Sequence, residues 1–148
     1  MSDELLVVLD TNVIVSGIIV PRGGPAAILD AWRQGRFALL TSPEQLIEPE
    51  QTLRRPVFAR RYGVDDEVVD ALVALLRQEA HLIVPPEETT IAVRDPDDGR
   101  ILMIGVAGQG NFLVTGDDDL LSIADDPHLG NLQIVAVRTF RAILDSVE

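Results

Sequence analysis

The sequence predicts an α/β layered domain on a parallel sheet, and three observations carry that prediction. Short, unbroken apolar runs rich in β-branched residues recur along the chain, which is the pattern of strands buried on both faces. Between them lie segments whose apolar residues repeat at helical spacing. The chain has 148 residues, 47% of them hydrophobic and 24% charged, enough to enclose one sizeable core and too apolar for a disordered chain. Alternating strands and helices of this kind pack with right-handed crossovers. Residues 1–148 read as a single domain, without internal repeat, low-complexity tract or linker.

Leu5–Leu9 is the first buried strand, ending at Asp10. After the break at Arg22-Gly23-Gly24-Pro25, residues Ala26–Arg33 carry Ala27, Ile28, Ala31 and Trp32 at helical spacing, and Gly35 closes the helix. Phe37–Thr41 is a second strand. Ser42-Pro43 supplies an N-cap with proline at the first helical position, and the helix that follows should kink at Pro49. Asp65-Asp66 caps the clearest helix, with Val68, Val69, Leu72, Leu75 and Leu76 on one stripe. Leu82–Val84 is a brief strand before Pro85-Pro86. Asp95–Gly99 reads as a turn that caps a helix over about Arg100–Ala107. Phe112–Thr115 and Gln133–Val137 are two further strands, and a helix from about Arg138 to Ser146 ends the chain.

Composition excludes several classes of function. The absence of cysteine removes disulfides, thiol nucleophiles and iron–sulfur clusters, and suits a reducing cytoplasm. The acidic start, Met1-Ser2-Asp3-Glu4, is unlike a signal peptide, and no apolar run approaches the length of a membrane span. A cytoplasmic protein without a membrane partner is expected. With a net charge of −12 there is no general basic surface, so an anionic substrate must be captured locally. All twelve basic residues are Arg.

The acids fall in a pattern. In an open parallel sheet, ligands bind beyond the carboxyl ends of the strands. Asp10 ends the first strand, and Asp117, Asp118 and Asp119 follow the strand ending at Thr115. Glu44 and Glu48 stand one helical turn apart after the second strand, and Asp97-Asp98 open the helix that leads into the fourth. Taken singly, these acids read as helix caps or solvated helix faces. An ionisable group directly ending a buried strand, however, requires a compensating partner. Four gathered carboxylates repel unless protons or cations neutralise them, and hard divalent ions such as Mg²⁺ or Mn²⁺ suit that task.

Together, Leu9-Asp10-Thr11-Asn12-Val13, Ser42-Pro43-Glu44 through Glu48, Asp95-Pro96-Asp97-Asp98 and Val114-Thr115-Gly116-Asp117-Asp118-Asp119 resemble a PIN domain, with the motifs in that family's order over roughly residues 5–145. The likeness is greatest to the toxin components of bacterial toxin–antitoxin systems. It implies a three-layer α/β/α sandwich with a central parallel sheet and a Mg²⁺- or Mn²⁺-dependent endoribonuclease. By motif, the catalytic and metal-binding quartet falls on Asp10, Glu48, Asp98 and Asp117, with Asp119 as an accessory acid. Thr11 or Thr115 would orient carboxylates, and Asn12 matches the residue that follows the first aspartate. The implied reaction is attack by metal-activated water on an RNA phosphodiester, leaving 5′-phosphate and 3′-hydroxyl ends. An antitoxin protein and a second copy of the chain are the implied partners.

The chain departs from the family at Pro49, which disfavours helical geometry at Glu48 and leaves Glu44 as a substitute, and at Gly99 and Gly105, which weaken the helix carrying Asp98. These departures keep open an alternative: a catalytically weakened module that binds RNA or an antitoxin without turnover. Arg54, Arg55, Arg60 and Arg61, near Phe58 and Tyr62, form the densest basic patch and read either as an RNA clamp or as a solvated helix end. His81 is expected to cap a helix and His128 to lie in a loop, away from the motifs, so a histidine-based mechanism is disfavoured. Phosphorelay receivers and haloacid-dehalogenase-type phosphatases also place aspartates at strand ends. Both depend on a lysine, which this chain lacks, and there is no glycine-rich phosphate loop.

Overall fold

The computed structural model describes residues 4–146, so the reading of the acidic start over Met1–Asp3 lies outside the described residues. β1 (Leu6–Leu9) leads into α1 (Thr11–Ile19) and α2 (Gly24–Arg33), and β2 (Ala38–Thr41) into α3 (Ile47–Leu53), α4 (Pro56–Tyr62) and α5 (Asp66–Glu79). β3 (His81–Leu82) precedes α6 (Pro96–Ala107), β4 (Phe112–Val114) precedes α7 (Asp118–Leu121), and β5 (Gln133–Val135) precedes α8 (Val137–Ser146). The five strands form one parallel sheet in the order β3-β2-β1-β4-β5. β1 is central, with Val8 opposite Leu40 on one side and Leu113 on the other.

Alternation along the strands divides the core in two, because successive strand side chains point to opposite faces. Val7, Leu9, Leu39 and Val114 pack with side chains of α1, α2, α3, α5 and α8. Val8, Leu40, Leu113 and Ile134 pack with α6 and with Leu120 of α7. The result is a three-layer α/β/α sandwich with a central parallel sheet. No single helix among the described residues is long and apolar enough to cross a membrane.

Three elements differ from the sequence reading. α1 carries Val13, Ile14, Val15, Ile18 and Ile19, β-branched residues of low helix propensity, yet it is helical because Val13 and Ile14 are buried in the core. Residues 43–46 form a turn and α3 starts only at Ile47, although the Ser42 hydroxyl still accepts the Gln45 N–H at 3.0 Å. Pro49 therefore stands in the first turn of α3, where its missing N–H has no intrahelical partner to lose, and the expected kink becomes a late helix start. α6 begins four residues earlier than expected, with Asp95 as N-cap and Pro96 in the first turn. It runs unbroken through Gly99 and Gly105. At Gly105 an added Cβ would lie 2.7 Å from Leu132, so that glycine permits close packing.

His81 does not cap a helix. It lies in the edge strand β3, lining a cavity at the amino end of the sheet with Trp32 and Glu79. Gly17 marks the closest approach of α1 and α2: a Cβ there would stand 2.5 Å from the Leu29 side chain and 2.9 Å from the Pro25 carbonyl oxygen. Gly17→Ala should therefore destabilise the fold by about 1–3 kcal/mol, although alanine is the better helix former. Urea unfolding checks the sign.

Candidate active site

The sheet order reverses between β1 and β4, because the chain moves outward from β1 to β2 and β3 and then crosses back to β4. Such a switch point opens a crevice at the carboxyl ends of the strands. Asp10 and Asp117 flank it. Asp10 ends β1, donating its backbone N–H to the Val114 carbonyl at 3.0 Å, and its side chain accepts the Thr11 N–H at the start of α1 at 2.8 Å. Asp117 caps α7 by accepting the Asp119 N–H at 2.9 Å. The two acids share one hydroxyl: Thr115 Oγ1 donates to Asp10 Oδ2 at 2.7 Å and accepts the Asp117 N–H at 2.9 Å. Thr115 is fully buried, so this bridge is shielded from solvent.

The third contributor arrives on α6, which packs on the same face of the sheet as α7. Asp95 caps α6 through the Asp97 N–H, and the first turn of that helix carries Asp98 over the same crevice. A hollow of about 140 Å³ results, lined by the acids Asp10, Glu48, Asp95, Asp97, Asp98 and Asp117. Thr11, Asn12 and Gln45 complete its lining, and Gln45 Nε2 donates to Thr11 Oγ1 at 3.2 Å. Among the described residues, the buried polar side chains are Thr11, Thr41, Ser42 and Thr115, all at this edge of the sheet. Thr11 lines the hollow and Thr115 holds Asp10 and Asp117, while the described interior away from this edge is apolar.

The quartet expected from the sequence therefore borders one hollow. Glu44 does not, since it faces a neighbouring cleft, and Asp119 lies on the far side of Asp98 in another. Sequence reasoning missed Gln45 and Asp95. The signal for Asp95 was present in Asp-Pro, the N-cap and first-turn pair of a helix, had that helix been started early enough. The basic patch divides. Arg54 is held by Glu50, Asp66 and Asp70, at 3.2, 3.0 and 2.5 Å, an arrangement that fits the solvated helix end of the two readings for that residue. Arg55, Arg60 and Arg61 are exposed on or beside α4, a helix with no buried side chain, and none of the four lines the hollow.

Among the described residues no basic side chain lines the hollow, and the charges of neighbouring acids act on Asp10 and Asp98. Burial pushes the Asp10 carboxyl up from its ordinary range, hydrogen bonds from Thr115 and Thr11 draw it back, and the charge of Asp117 pushes it up again. Burial, and then the charges of Asp117, Asp95, Asp10 and Asp119, raise Asp98 from 3.8 to about 6. The folded protein thus holds a proton on Asp98 that the unfolded chain releases near pH 4, so stability falls as pH rises from about 4 to about 6. Asp98→Asn should stabilise the metal-free protein at pH 7 by about 1 kcal/mol, after discounting the shift for solvent screening. Thermal unfolding at pH 4 and pH 7 measures this, and the gain should vanish at the lower pH.

The donor set suits a hard dication: it is all oxygen, strongly negative and without a competing cation. Among the described residues, no group of three or more acidic or histidine side chains stands close enough together to hold a metal ion as they are placed. Mg²⁺ does not require such a group, since it binds through one or two carboxylates and keeps several waters. Asp10, Asp98, Asp117 and Glu48 are the residues that would hold it.

The chain is 29% identical over 123 residues to an uncharacterized protein of Methanocaldococcus jannaschii, covering 83% of this chain and 77% of the relative. The family model for the PIN domain matches residues 6–119, a span that begins at β1 and includes Asp10, Glu48, Asp98 and Asp117. The chain belongs to the PIN domain family, whose members are generally nucleases.

Proposed function

We propose that the protein is a Mg²⁺- or Mn²⁺-dependent endoribonuclease of the cytoplasm. One observation carries this reading: carboxylates from three distant parts of the chain, Asp10, Asp98 and Asp117, border a single hollow lined by no basic side chain among the described residues, and the charge of Asp117 raises the proton affinity of both Asp10 and Asp98. A divalent ion there would neutralise the cluster, hold a phosphate oxygen and lower the pKa of a water. The protein's own residues supply position. Thr115 and Thr11 fix the two oxygens of Asp10 in different directions, and the same Thr115 hydroxyl holds the backbone of Asp117. Gln45 ties the turn before α3 to Thr11, keeping Glu48 in the lining of the hollow. Carboxylates fixed by backbone and hydroxyl donors are a preorganised environment that needs little rearrangement as charge develops on the phosphate.

The products are then a 5′-phosphate and a 3′-hydroxyl. Incubation with structured and unstructured RNAs should give cleavage with Mg²⁺ or Mn²⁺ and none with chelator. Tight RNA binding without cleavage under any metal would favour the non-catalytic module instead. The local features that motivated that module are accommodated in the fold, with Pro49 in a first turn and Gly105 packed on Leu132. The resemblance to toxin components supports a role paired with an antitoxin protein, in a homodimer. Inducible expression in bacteria tests it: arrested growth supports the role, and unaffected growth contradicts it.

A further inference from the structure

Two clefts adjoin the acidic hollow, each sharing lining residues with it. One shares Gln45, Glu48 and Asp97 with it, extends to Gln51 and Arg100, and measures about 390 Å³. The other shares Asp98, extends past Ser122 to Arg94, and measures about 410 Å³. Both fall within the roughly 300–1,000 Å³ range of small-ligand sites. Each contains one basic side chain, Arg100 in the first and Arg94 in the second. The trough is therefore negative at its centre, with a single guanidinium along each arm.

Resting on the nuclease reading, we propose that RNA crosses the hollow as a single strand from cleft to cleft. Arg100 and Arg94 each take a phosphate flanking the scissile one and act as positioning residues. Both arginines are exposed. Arg100 is paired with Asp97 one helical turn away, an exposed ion pair that a phosphate can exchange for at small cost. Arg94 makes no ion pair among the described residues. The denser basic patch does not compete for this task, since Arg54 is held by three carboxylates and Arg55, Arg60 and Arg61 line none of the three cavities. Two cations on a molecule of net charge −12 suit a short single strand and not a duplex, whose binders commonly neutralise about 6–10 phosphates. The Arg100 arm also carries the amides of Gln45 and Gln51, which present donors and acceptors to the edge of an unstacked base.

The test uses Arg94→Gln, Arg100→Gln and the double variant, with Arg61→Gln as control. Binding of a labelled single-stranded RNA is measured by fluorescence anisotropy over a salt series, with Ca²⁺ in place of Mg²⁺, and cleavage is measured with Mg²⁺. Each single substitution should reduce the slope of log affinity against log salt by about 0.7. KM should rise about tenfold with kcat little changed, and the double variant should lose about the product of the two effects. Arg→Lys at either position should restore the slope, and Arg61→Gln should alter nothing. An unchanged slope and KM in the double variant of a protein that cleaves RNA would overturn the path and leave the nuclease reading intact. Salt-dependent binding lost in the variants of a protein that never cleaves would support the path while contradicting the nuclease reading. Equal affinity for duplex and single strand, or no binding of single strands by the unmodified protein, would overturn the path.

Discussion

Asp10→Asn should reduce RNA cleavage by about 10³-fold or more, the scale of removing one preorganised electrostatic group, without loss of fold. The substitution preserves shape. The amide oxygen can still accept the Thr11 N–H, and the amide nitrogen can donate to Thr115 Oγ1 once that hydroxyl rotates. What is lost is charge, at the one acid that ends the central strand and carries α1 away from the site. Because burial and Asp117 already disfavour the ionised carboxyl, the metal-free variant should melt at the same temperature as the parent or higher. Gel assays with Mg²⁺ beside thermal unfolding with chelator separate the two effects. Equal cleavage by parent and variant would point to a contaminating nuclease and remove the enzymatic reading.

Phe140→Ala should destabilise the protein by about 3–5 kcal/mol, the usual scale for emptying a buried phenylalanine site. Phe140 is fully buried on α8, with its ring centroid 5.4 Å from that of Phe37, edge to face, and 5.7 Å from that of Phe112. α8 lies beyond the matched span of residues 6–119, yet its side chains join the core formed by α1, α2 and the sheet. Arg36 also donates to the Leu144 carbonyl at 2.6 Å, fixing the end of α8 to the turn after α2. We propose that residues 1–148 fold as one cooperative domain. The variant should then show a single transition at lower denaturant concentration. A separate early transition, or a loss below 1 kcal/mol, would show α8 to be an appendage.

The parallel sheet was legible because strands buried on both faces leave unbroken apolar runs, and Leu6–Leu9, Ala38–Thr41 and Phe112–Val114 each lie within such a run. α1 was not legible. Its residues favour strands locally, and only burial between the sheet and α2 makes them helical. The late start of α3 and the early start of α6 turn on local backbone choices at Ser42–Leu46 and Asp95–Pro96, where a proline marks a first turn without saying which residue precedes it.

At the site, Asp10 and Asp117 stood out because ionisable groups follow buried strands directly. The neighbouring Thr41 and Ser42 are as buried as Thr11 and Thr115, but hydroxyl residues at strand ends look the same in a sequence whether they face a turn or a pocket. Arg54 was open to two readings for a related reason. Its sequence neighbours are basic, whereas Asp66 and Asp70, which take its guanidinium, lie 12 and 16 residues away on α5. The exposed residues that decide its partners are set by how α3 meets α5.

The central claim, that acids from three segments form a site for a hard dication beyond the carboxyl ends of the strands, is tested most directly by anomalous scattering from crystals grown with Mn²⁺. A strong peak is expected within ligating distance of Asp10 and of Asp98 or Asp117, lost in crystals of Asp10→Asn. Saturating Mn²⁺ with no peak between those carboxylates, in crystals that show them converged, would contradict it.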